Sequence, residues 1–100
     1  MMKIAFERSG GFAGLRLAAE IVLESLTEED AGRLRQLVGD SAFFDLPAQI
    51  LAKVRRPDRF TYRLTVAEDG HTHTVEADEE AVPEALAPLI DWLTEAAMQT

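Results

Sequence analysis

His71 and His73 are the only histidines in the chain, and a single residue separates them. In an extended segment alternate side chains share a face, so both imidazoles can approach one metal ion. A third ligand would have to come from Glu68, which stands opposite His71 if Asp69-Gly70 is a two-residue turn. Zinc sites need three or four ligands and a shell of groups that orient them. Two histidines beside a turn fall short of that, and polar residues there also serve solubility. No metal and no cofactor is therefore assigned. The other candidates for chemistry are thinner still. The chain has no cysteine, which excludes a thiolate nucleophile and a disulfide framework. Ser9, Ser25 and Ser41 have no histidine nearby in the sequence. Glu28-Glu29 and Glu79-Glu80 precede amphipathic segments, where a helix dipole already favours carboxylates. Gly10-Gly11 leads into a strand, so it lacks the helix N-terminus of a phosphate loop. The expectation is a protein that is not an enzyme.

The bulk composition narrows the class further. One hundred residues suit one domain, expected to span 1–100. Hydrophobic residues make up 47% and charged residues 28%, a balance that a folded core can use and a disordered chain lacks. There are 18 acidic against 10 basic residues, for a formal charge of −8. That argues against a nucleic-acid partner, which needs a basic surface. No apolar run reaches the roughly 18 residues that suggest a membrane helix. The opening Met1-Met2-Lys3-Ile4-Ala5-Phe6 is too short and too soon charged for a secretory signal, so a cytoplasmic location is expected.

Around the glycine pair, apolar residues alternate on both sides, which is a hairpin signal. With Gly10-Gly11 as a two-residue loop, Phe6 faces Leu15, Ile4 faces Leu17 and Met2 faces Ala19, all apolar pairs on one buried face. Strands are expected at about 2–9 and 13–21, with Gly14 marking a bulge or a close approach of backbone. Phe12 then lies beside the turn on the face away from the core, as an interaction tip or as an aromatic folded over the hairpin.

The remaining elements form its scaffold. Thr27 is a good N-cap, three acids follow it, and Ala31, Leu34, Leu37 and Val38 recur at helical spacing, so a helix is expected over 28–38 with Gly39 as its C-cap. Phe43-Phe44 plugs the end of the sheet. Residues 48–58 read as a turn of helix or an extended loop, and the basic residues Lys53, Arg55, Arg56, Arg59 and Arg63 gather in and just after it. This contrast with an acidic chain marks either a solvated loop or a patch for an acidic partner. A second hairpin joins 60–67 to 71–77 through Asp69-Gly70. It pairs Tyr62 with Ala77, Leu64 with Val75, Val66 with His73, Thr65 with Thr74 and Arg63 with Glu76. Leu86, Leu89, Ile90 and Leu93 share one helical face, with Pro83 at the expected start and Pro88 separating or kinking the first turn. The expected fold is α+β in the order ββαββα. It is a four-stranded antiparallel sheet made of two hairpins, with two helices packed on one face.

Three stretches, in this order and spacing, carry a resemblance: Phe6-Glu7-Arg8-Ser9-Gly10-Gly11-Phe12-Ala13-Gly14, Phe60-Thr61-Tyr62-Arg63-Leu64-Thr65-Val66, and Pro83-Glu84-Ala85-Leu86-Ala87-Pro88-Leu89-Ile90-Asp91-Trp92-Leu93. Together they resemble the emfourin family of small bacterial proteins, known as protealysin inhibitors. The resemblance covers most of the chain. It implies a proteinaceous inhibitor of a thermolysin-like zinc metalloprotease, cytoplasmic and without disulfides. Clefts of that protease class hold zinc beside a pocket for a bulky apolar side chain. A rigid tip presenting Phe12 fits such a pocket, and Glu7 can face the zinc. The residues expected at the partner are Glu7, Ser9, Gly10, Gly11, Phe12, Ala13 and Gly14, together with Arg55 and Arg56 of the basic loop. The alternative is a non-catalytic interaction module with another partner. Free sheet edges allow a monomer or a weak homodimer.

Overall fold

The strand beginning at Met2 organises the sheet. A computed structural model describes residues 1–11, 16–54 and 58–99. Strand β1 (Met2–Gly10) lies between β2 (Leu17–Val22) and β4 (Phe60–Glu68), antiparallel to both. Strand β5 (His71–Asp78) follows β4 through the Asp69-Gly70 turn, and a two-residue strand β3 (Gln49–Ile50) runs parallel to β5 on its outer side. The sheet therefore has five strands in the order β2-β1-β4-β5-β3 and is mixed. This corrects the expected four-stranded antiparallel sheet and its ββαββα order. The extra strand is short because Gln49 and Ile50 are all of this segment that pairs with β5, and Ala48 extends the contact by accepting the Glu76 N–H at 2.8 Å.

The second hairpin has the expected register throughout, Leu64 opposite Val75 and Arg63 opposite Glu76. Asp69 and Gly70 both take positive φ, 47° and 85°, the geometry that matches the twist of a two-residue hairpin. The first hairpin does not. Ile4 pairs with Ile21 and Phe6 with Ala19, four residues beyond the expected Leu17 and Leu15. Pairing between β1 and β2 stops at Arg8 and Leu17, so Gly10-Gly11 is not a two-residue turn. The shift is even, so Met2, Ile4 and Phe6 still face the core, and Ile4 and Phe6 meet apolar partners on β2.

Helix α1 (Glu28–Asp40) starts as expected, with the Thr27 hydroxyl accepting the Asp30 N–H at 3.1 Å. It runs through Gly39 to Asp40, and the left-handed residue that turns the chain is Ala42, at φ 50°. Helix α2 (Ala87–Met98) carries Pro88 in its first turn, and Pro83 lies ahead of it rather than at its start. Pro83 opens a separate turn that Leu86 closes through its N–H on the Pro83 carbonyl. A ring without an N–H costs nothing at a first helical turn, where the donor has no partner in any case. Leu34, Leu37 and Val38 of α1 and Leu89, Ile90 and Leu93 of α2 pack with Ile4, Phe6, Leu64, Val66 and Val75 into one core. Full burial of side chains of this size contributes about 1.5–3 kcal/mol each.

Candidate functional site

Because β1 and β4 are antiparallel neighbours, the C-terminal end of β1 lies beside the N-terminal end of β4, with Gly10 opposite Phe60. The β1–β2 connection and the β3–β4 connection thus leave the sheet from adjacent positions. The described flanks of the two connections touch. Gly11 donates its N–H to the Arg59 carbonyl at 3.3 Å. Gly10 and Gly11 have φ of 99° and 80°. A Cβ on Gly10 would lie 2.6 Å from the Arg59 carbonyl oxygen, and one on Gly11 would lie 2.9 Å from the Phe60 ring. Glycine is required twice over here, by backbone conformation and by space. The Arg8 guanidinium lies 4.2 Å above the Phe60 ring centroid, and Phe6 stacks on Tyr62 at 6.2 Å. Alternation explains the layer: Phe6, Arg8, Phe60 and Tyr62 all sit on the side of the sheet that carries the core.

The opposite side of the same stem carries Glu7. Its carboxylate accepts a hydrogen bond from Arg16 Nε at 2.9 Å and pairs with the Nη2 of the same guanidinium at 2.7 Å. Arg16 is the first described residue after the tip, so this pair ties the two sides of the connection together. Both partners are partly exposed, and such a pair contributes about 0–1 kcal/mol. Ser9 stands opposite Thr61. Of the other residues expected at the partner, Phe12, Ala13, Gly14, Arg55 and Arg56 lie outside the described residues.

A carboxylate group at the end of β5 was not foreseen as part of this region. Asp78 is buried; its carboxylate accepts the Ala52 N–H at 2.9 Å and the Thr61 hydroxyl at 3.4 Å. Glu79 accepts the Phe60 N–H at 2.9 Å. Arg59 reaches Glu80 at 2.9 Å and Glu79 at 4.0 Å. In the sequence these acids look like the charged start of the last helix. They lie instead at the end of β5 and on a short turn (Glu79–Ala81) ahead of it, where they hold both described flanks of the β3–β4 connection. The signal that would have revealed them is position: Asp78 follows the last residue of the expected strand, opposite Thr61 in the register that the Asp-Gly turn sets.

His73 faces the core side, and its Nε2 lies 2.7 Å from the Leu46 carbonyl, so that nitrogen carries the proton and donates. Phe43 meets the His73 ring edge-on at 5.6 Å. Glu68 does stand opposite His71, but the described residues contain no cluster of three metal-ligating side chains. No described helix is long and apolar enough to cross a membrane.

The Emfourin family model matches residues 6–94. This chain is an emfourin. The match includes Gly10 and Gly11, the Arg59–Phe60 platform and the acids at the end of β5. A solved structure of similar fold is emfourin (M4in) from Serratia proteamaculans, described as an M4 family peptidase inhibitor. It aligns with a TM-score of 0.52 and 22% identity, over 94% of this chain and 88% of that one. No curated protein matches the chain. Emfourins are inhibitors, not enzymes.

Proposed function

We propose that this emfourin inhibits a thermolysin-like, protealysin-type zinc metalloprotease by occupying its active-site cleft. Family membership over residues 6–94 carries the reading. The similar fold of a protein described as an M4 family peptidase inhibitor agrees with it. The contact surface is the end of the sheet from which the two connections leave: Glu7, Ser9, Gly10, Gly11, Phe12, Ala13 and Gly14 from one, Arg55 and Arg56 from the other. The zinc belongs to the target. An inhibitor must bind as a substrate does without progressing to the transition state, and a backbone fixed before binding meets both needs. The described stem has that character. Gly11 is hydrogen-bonded to Arg59, Glu7 is held by Arg16, and the Arg8 guanidinium lies over the Phe60 ring. Phe12 supplies the bulky apolar group, and Arg55 and Arg56 favour encounter with an acidic surface.

Competition tests the mode of binding. A small active-site inhibitor that ligates the protease zinc should displace the protein, and Phe12→Ala should weaken binding by about tenfold or more. Simultaneous binding of both inhibitors would place the contact outside the cleft.

A further inference from the structure

The acids at the end of β5 hold the residues on which Gly10 and Gly11 rest. Glu79 takes the Phe60 N–H, and Glu80 takes the Arg59 side chain. The Arg59 carbonyl in turn receives the Gly11 N–H, and the Phe60 ring fills the space beside Gly11 where a side chain would be. One chain of contacts therefore runs from β5 through the start of β4 to the last described residue before the tip. We propose that Glu79 and Glu80 are positioning residues for inhibition: by fixing Arg59 and Phe60 they set the direction in which the chain leaves β1 at Gly11. This deepens the inhibitor reading and rests on it for its functional consequence.

The physical case lies in the geometry of the donors. Phe60 is the first residue of β4 and pairs with Gly10, the last residue of β1. A strand end with little ladder beyond it frays unless a side chain takes its free groups. Glu79 does so for the Phe60 N–H, which points away from β1 toward the turn after β5. Arg59 pairs with Glu80 at 2.9 Å and reaches Glu79 at 4.0 Å, while its carbonyl accepts the Gly11 N–H. Ordering this backbone before binding removes a cost that the complex would otherwise carry.

Three variants separate positioning from other roles: Glu79→Ala, Glu79→Gln and Glu80→Ala. Hydrogen exchange in the free protein is read at the Gly11 and Phe60 amides, and inhibition of a thermolysin-like protease is read in parallel. Glu79→Ala and Glu80→Ala should speed exchange at Gly11 by about tenfold while Leu64 and Val66 stay protected. Inhibition by the same variants should weaken by about tenfold. Glu79→Gln should retain most of both properties, because its amide oxygen still accepts the Phe60 N–H. Unchanged exchange at Gly11 in both alanine variants overturns the proposal. So does faster exchange at Leu64 and Val66 to the same degree, which would make these acids general supports of the fold. Inhibition lost equally in Glu79→Gln and Glu79→Ala also overturns it, since Glu79 would then meet the protease through its charge. If the unsubstituted protein inhibits nothing, the inhibitor reading fails, and the exchange measurement still decides whether the acids fix Gly11.

Discussion

The guanidinium of Arg8 lies 4.2 Å above the centroid of the Phe60 ring, joining the end of β1 to the start of β4. The two residues are near-neighbours across the ladder, Arg8 opposite Tyr62 and Gly10 opposite Phe60. A cation over an aromatic face is worth about 0.5–1 kcal/mol where solvent reaches it. A double-mutant cycle with Arg8→Ala and Phe60→Leu should return a coupling of about that size. Chemical denaturation of the four proteins measures it, and a coupling near zero would reduce the contact to coincidence.

Gly10 allows no side chain. Its φ of 99° and the 2.6 Å approach of the Arg59 carbonyl oxygen to a Cβ act together. Gly10→Ala should destabilise the protein by about 1–3 kcal/mol, the range for backbone forced into a sparsely populated region. The variant should also inhibit less well, because the neighbouring backbone must move to admit the methyl group. An unchanged urea midpoint would contradict the geometry described at this position.

Gly70 differs, because nothing lies within 4 Å of a Cβ placed there. Only the positive φ of 85° penalises a side chain. Gly70→Val should lower stability by about 1–2 kcal/mol, and Gly70→Asn should lower it less, since asparagine visits the left-handed region more readily. Equal melting temperatures for these two variants would argue against the turn.

The contrast between the two glycine sites explains what the sequence disclosed. Asp69-Gly70 is a two-residue connection, so the dipeptide alone sets the register of β4 and β5, and every expected pair there is present. Gly10-Gly11 looks similar but lies at the start of a longer connection, and apolar alternation cannot tell two registers apart when they differ by an even number. The buried faces were therefore legible while the pairing was not. Strand β3 has two residues and no periodicity to detect. Pro83 and Pro88 both suit a helix start; the separate first turn that Pro88 signals in the sequence lies at residues 83–86, ahead of α2. At the site, the glycines and Glu7 stood out by type and position. Glu79 and Glu80 did not, because acids ahead of an amphipathic segment have a sufficient local explanation.

Tyr62 is the only tyrosine, so its phenol can be titrated by absorbance without interference. Burial raises its pKa above the ordinary value of 10.0, and Glu79 and Asp91 add to the shift while Arg8 opposes it. The folded protein thus holds this proton more tightly than the unfolded chain. The corresponding stability is fully present below the unfolded value and is lost as pH rises through the folded one. Stability should therefore decline in alkali above about pH 10, in step with phenolate absorbance. A phenolate midpoint at or below the ordinary value would contradict the burial described for this ring.

Titration of a protealysin-type or other thermolysin-like protease with this protein tests the central claim most directly. The account predicts that peptidase activity falls in proportion to added protein and is abolished near one equivalent when the enzyme is well above the dissociation constant. Full activity at a large molar excess, with the protein folded and the protease competent toward a small active-site inhibitor, would contradict it.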